Sequence, residues 1–179
     1  MRNNAASVMD KLKLIALDEE DLAVVSSHLQ DAVLRVGDMA YLPSKMRFAA
    51  VLNRFDWEKA VGESDGGFER RRAALRFDRV LKAKLKHLKL RSQDRVLSLL
   101  AVSFEPAKPP GGYVRLTFSG DASILLEVEC IEAELQDLGP AWQARSKPKH
   151  PGLESVEIDE AALGRKQEAV GERDDDDDA

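Results

Sequence analysis

Between residues 33 and 129 strand-like runs recur in which side chains point by turns into and out of a curved sheet. A period of two marks strands that bury one face. Phe48, Ala50 and Leu52 alternate with Ala49, Val51 and Asn53, so Arg47 to Phe55 reads as a strand. Between Arg70 and Leu81, Ala73, Leu75 and Phe77 face one way, and Arg70, Arg72 and Arg76 face the other. Val96 to Phe104 is apolar on both faces and reads as the most buried strand. Tyr113 to Phe118 and Ser123 to Glu129 flank a tight hairpin turn at Ser119 to Ala122. Val33 to Val36 and Met39 to Leu42 flank Gly37-Asp38 and form either one bulged strand or two short ones. Lys82 to Arg91 fits a strand through Leu81, Ala83 and Leu85, or a helix through Leu81, Leu85 and Leu88. A hairpin with Val96 to Phe104 is the simplest connection and favours the strand.

Helical signals stand at both ends of this run. After a short strand at Leu12 to Leu17, Asp18 is placed as an N-cap, with Glu19, Glu20 and Asp21 in the first turn, where the helix dipole favours acids. Leu22, Val25, Leu29 and Val33 then recur at helical spacing, which predicts a helix from about Glu19 to about Ala32. Ile131, Leu135 and Leu138 predict a second helix, from about Cys130 to Leu138, stopped by Gly139-Pro140. The expected fold class is α+β. It is a mostly antiparallel curved sheet or half-open barrel of about six to seven strands, with an N-terminal helix and a C-terminal closing helix. The outline is topologically similar to the pleckstrin-homology-like barrel. Residues 1–10 are expected as a frayed leader, 11–146 as one α+β domain, and 147–179 as a disordered acidic tail.

The charge distribution supports that division. Residues 1–150 hold 24 Lys+Arg against 21 Asp+Glu, a net of +3; residues 151–179 hold 3 against 11, a net of −8. Hydrophobic residues make up 44% of the 179, enough for a core without disulfide or metal staples. Cys130 is the single cysteine and cannot form an internal bridge. No apolar run approaches the ~20 residues that cross a bilayer, and the first ten residues carry no apolar stretch of a signal peptide. The expectation is a cytoplasmic protein without membrane insertion.

Four segments carry a family resemblance: Leu14 to Asp18, Leu52 to Trp57, Arg95 to Ala101 and, most distinctive, Leu126 to Trp142. Over roughly residues 11–146 the chain resembles domain-of-unknown-function family 2948, found mainly in alphaproteobacteria. The resemblance implies a bacterial cytosolic protein and carries over no catalytic residue.

The strongest functional signal is basic. Arg70 to Arg95 contains 11 Lys+Arg opposed only by Asp78 and Asp94. On strands, Lys82, Lys84 and Lys86 share a face with Arg70, Arg72 and Arg76, a stripe suited to a phosphate backbone or an acidic protein surface. The competing reading is a solvated face whose lysines discourage edge pairing. Few aromatics are interleaved, which weakens a single-strand nucleic-acid reading. Asn53, Arg54, Asp56 and Trp57 mark the rim of a candidate groove; the alternative is a core-capping Trp57 with hydrogen-bonded neighbours. The Asp174 to Asp178 run is a solubilising tail or a polyanion that competes for the basic stripe.

Cys130 lies among Glu127, Glu129, Glu132 and Glu134, which disfavour a thiolate. Those glutamates lack the ligand density of a hard-cation site, and His28, His87 and His150 lack metal spacing. No phosphate-binding glycine loop or nucleophile elbow is present, so no cofactor and no catalytic residue is assigned. The expected function is a non-catalytic binding module whose basic sheet face takes an acidic protein or nucleic acid. The alternative is a small-molecule-binding protein or enzyme with a pocket between the sheet and the C-terminal helix, lined by Arg54, Asp56 or His28. A structural homodimer is the third reading.

Overall fold

A computed structural model describes residues 11–57, 69–139 and 142–143. Strand β1 (Lys13–Ala16) leads into α1 (Glu19–Leu29), and ten strands follow. These are β2 (Ala32–Arg35), β3 (Met39–Leu42), β4 (Arg47–Phe55), β5 (Glu69–Phe77), β6 (Val80–Lys86), β7 (Val96–Pro106), β8 (Gly112–Phe118), β9 (Ser123–Val128), β10 (Ala133–Asp137) and β11 (Trp142–Gln143). They form one antiparallel sheet in the order β1-β10-β5-β4-β2-β7-β8-β9-β6, with β11 added to β5 and β3 to β4. The order ends at β1 and at β6, so the sheet does not close through hydrogen bonds.

Two parts of the expected fold class are corrected. The sheet has eleven strands rather than six or seven. The expected C-terminal closing helix is strand β10, and the pleckstrin-homology-like outline falls with it. Ala133, Leu135 and Asp137 are buried and alternate with Glu134 and Gln136. That is a period of two, hidden because Asp137 is counted as polar although it lies inside. Leu138, needed for the helical stripe, is 47% exposed. With one α-helix, of 11 residues, the described residues are mostly sheet.

Pairing and burial differ from expectation at two strands. β6 pairs with β9, not with β7. Arg79 adopts a left-handed conformation (φ 62°) between β5 and β6, and Glu129 N–H donates to its carbonyl. The chain turns a corner there, so that Val80 sits opposite Val128. β7 is not the most buried strand. Val96 and Leu100 are exposed, and a register shift between Leu99 and Ala101 changes which residues point inward. On β8 and β9 the inward rows Val114, Leu116 and Phe118 and Ile124, Leu126 and Val128 are buried throughout.

Other expectations hold. β4 spans Arg47–Phe55, and of the Lys82 to Arg91 stretch only Lys82 to Lys86 is strand, because His87 turns left-handed (φ 52°) and ends it. Asp18 caps α1 by accepting from Asp21 N–H at 2.8 Å. The helix ends at Leu29, three residues early, because Asp31 turns left-handed and Ala32 opens β2.

β2 pairs with β7 only from Leu97 to Leu99 and at Val96, leaving an unpaired edge beyond. α1 covers that edge: Leu22, Val25 and Leu29 are buried, and Ser26 Oγ accepts from Val102 N–H at 2.9 Å. The leader 1–10, the loop 58–68 and the tail 147–179 lie outside the described residues. No helix among the described residues is long and apolar enough to cross a membrane.

Candidate functional site

Arg54 on β4 and Arg71 on β5 are direct cross-strand partners. Like charges opposite each other repel, and both side chains are buried. Each is answered by an acid. Asp137 of β10 takes Arg54 in a two-pronged pair, Nε to Oδ1 at 2.8 Å and Nη2 to Oδ2 at 2.9 Å. Asp56 accepts from Arg71 Nε at 2.8 Å. Asp137 Oδ2 also accepts from Leu12 N–H at 3.0 Å, tying down the entry to β1. Burial acts to lower the Arg71 pKa, but the Asp56 hydrogen bond and the charges of Asp56, Asp137 and Glu69 outweigh it and hold it above the ordinary value. Arg71 Nη1 has no hydrogen-bond partner among the described residues.

On the neighbouring turn, the Trp57 ring meets Phe55 edge-on at 4.5 Å, and its indole N–H donates to Gln30 O at 3.1 Å. Arg70 lies 5.9 Å over the Phe55 ring. It donates to the carbonyls of Asp31 and Asn53 at 3.3 and 3.4 Å. Desolvation lowers its pKa from the usual arginine value. Of the candidate groove residues, Arg54 and Asp56 are thus inside, while Asn53 and Trp57 are part-buried.

The six residues of the basic stripe fall into two groups. Arg70 is partly withdrawn, Arg76 pairs with Asp78 (2.9 Å) and Glu134 (3.2 Å), and Lys86 pairs with Asp121 (3.1 Å). Arg72, Lys82 and Lys84 are exposed and form no ion pair among the described residues. Lys82 stands opposite Glu127 in register without pairing to it. Lys82 and Lys84 point outward because Ala83, between them, packs on the core. β5 and β6 are consecutive in the chain but lie far apart in the sheet order.

Beside Arg72 the outer face holds an open pocket of about 340 Å³. Its lining includes Val33, Val51 and Val96 with Arg35, Asp38, Asn53 and Arg72. Arg54, Asp56 and His28 do not line it. The Arg35 guanidinium is engaged by Asp38 at 3.0 Å, which lowers the Asp38 pKa.

Sequence reasoning missed Arg71, Asp137 and this pocket. Arg71 shares parity with Ala73, Leu75 and Phe77, so its burial was legible in the alternation. Asp137 was legible only once residues 133–137 were read as strand. The pocket left no local trace. Cys130 is free and part-buried, and the described residues include no group of three or more His, Cys, Asp or Glu able to hold a metal ion.

No curated protein and no solved structure matches the chain. The model of the family described as "Protein of unknown function (DUF2948)" matches residues 12–150, in keeping with the resemblance carried by Leu126 to Trp142. With most of its length inside that match, the chain belongs to this family.

Proposed function

We propose that the chain is a non-catalytic binding module of the cytosol that takes an acidic partner on the outer face of its sheet. One contrast carries this reading. The buried arginines Arg54 and Arg71 are each matched to an acid, whereas the exposed Arg72, Lys82 and Lys84 form no ion pair among the described residues. Charges that served the fold alone would gain most from nearby acids, and unanswered cations on rigid strands are placed to meet anions from outside. The buried carboxylates of Asp56 and Asp137 are held by guanidinium groups, which do not titrate in the working range and exchange no protons with a substrate.

The test is retention of the full chain on immobilised heparin at low salt. Retention is expected, with elution as salt rises. Replacing Arg72, Lys82 and Lys84 together by Gln is expected to move elution to lower salt. No retention of the parent chain, or unchanged elution of the triple variant, overturns the proposal.

A further inference from the structure

The pocket beside Arg72 lies where the β4 ladder is interrupted. β2 reaches β4 only at Val33 opposite Asn53. The chain then leaves through a 3-10 turn, Val36–Asp38, whose Val36 and Gly37 N–H groups donate to the carbonyls of Arg95 and Gln93. It rejoins β4 as β3, with Met39 opposite Ala50. Between those two contacts Val51 and Leu52 pair with β5 alone. The pocket opens at this interruption.

The result is a small site with two kinds of wall. Val33, Val51 and Val96 supply aliphatic surface, and Val96 is 60% exposed. Arg72 forms no ion pair among the described residues, though its charge, like that of Arg35, acts on the Asp38 carboxylate; two guanidinium groups against one carboxylate leave the pocket one positive charge.

We propose that this pocket is a subsite for a glutamate-bearing peptide segment of a partner protein. The glutamate carboxylate meets Arg72, and its methylene stem lies on the valines. The proposal rests on the acidic-partner reading above and narrows it to protein rather than nucleic acid. One available cation matches one monoanion. The lining has no aromatic ring on which a base could stack. A two-methylene stem ending in a carboxylate fits an aliphatic floor with the Arg72 guanidinium at its edge, where two parallel N–H···O bonds can form.

The experiment follows the methyl resonances of Val33, Val51 and Val96 in the full chain during titration with a hexaglutamate peptide and, separately, with oligothymidylate. The peptide is expected to shift these methyls and to bind about tenfold more weakly to Arg72→Gln, the loss of one charge-assisted contact. Lys108→Gln, an exposed cation outside both the pocket and the basic stripe, is expected to leave the shifts intact. Silent valine methyls, equal shifts with oligothymidylate, or undiminished binding by Arg72→Gln overturn the proposal. If heparin retention persists while these methyls stay silent, the pocket proposal fails alone. If they respond to the peptide but heparin retention is absent, the broader polyanion reading fails.

Discussion

Asp137 shows how much one side chain can be asked to hold. It neutralises the buried Arg54, receives the Leu12 N–H and ends the strand that joins β1 to β5. Truncating one partner of a buried ion pair strands the other charge in a medium that solvates it poorly. Asp137→Ala is therefore expected to cost about 3–5 kcal/mol in urea unfolding. Replacing the pair together, Arg54→Met with Asp137→Leu, is expected to recover most of that loss, because the desolvation cost of both ions disappears. A double variant as unstable as the single one would mean that the Leu12 contact, not the ion pair, carries the effect. At this scale the sequence was partly legible: parity alone placed Ala73, Leu75 and Phe77 inside, and the same parity placed Arg71 with them. What parity could not show was the acid that makes a buried arginine tolerable, since Asp137 lies 83 positions from Arg54.

Among the elements, α1 owes its position to an edge it covers as much as to its apolar stripe. Ser26 Oγ answers the Val102 N–H that β2 is too short to reach. Ser26→Ala leaves that part-buried donor without its acceptor and is expected to cost about 1–3 kcal/mol in urea unfolding. The start of β8 is tight for a different reason. A methyl group on Gly112 would lie 2.5 Å from Glu105 O and closer still to the Phe104 ring. Gly112→Ala is expected to destabilise by about 1–3 kcal/mol, since the obstructing carbonyl belongs to the paired backbone of β7.

The β8–β9 turn carries a pH signature. The Lys86 hydrogen bond and charge hold the Asp121 pKa below its ordinary value. A depressed folded-state carboxylate contributes stability above its unfolded pKa and loses it as pH falls through the folded value. Carboxyl NMR titration is expected to place the Asp121 midpoint on the acid side of the ordinary aspartate range, with Lys86→Ala moving it back up.

For the whole molecule, net charge misleads. The total of −5 combines a mildly basic body with a strongly acidic final stretch. On the proposed reading, the cations that would meet a partner are those left exposed after the internal pairs are made. Affinity for polyanions is expected to fall steeply as salt rises. Removing Arg72, Lys82 and Lys84 is expected to flatten that dependence, because fewer counterions are displaced. Salt-series elution from heparin measures both, and an equally steep dependence in the triple variant counts against these residues as the contact.

Local pattern settled what depends on neighbours in the chain. β4 from Arg47 to Phe55, the Asp18 cap and the inward row of β5 follow from alternation and capping, which act within a few residues. Tertiary structure decided the rest. Residues 133–137 carry signals for both helix and strand, and only the partners waiting on either side, β1 and β5, select the strand. β6 passes over its nearest neighbour for β9 because the corner at Arg79 aims it there. The Arg72 pocket exists only because β2 leaves β4 before β3 arrives. In each case the deciding free energy comes from groups distant in sequence, where a periodicity confined to one segment holds no information.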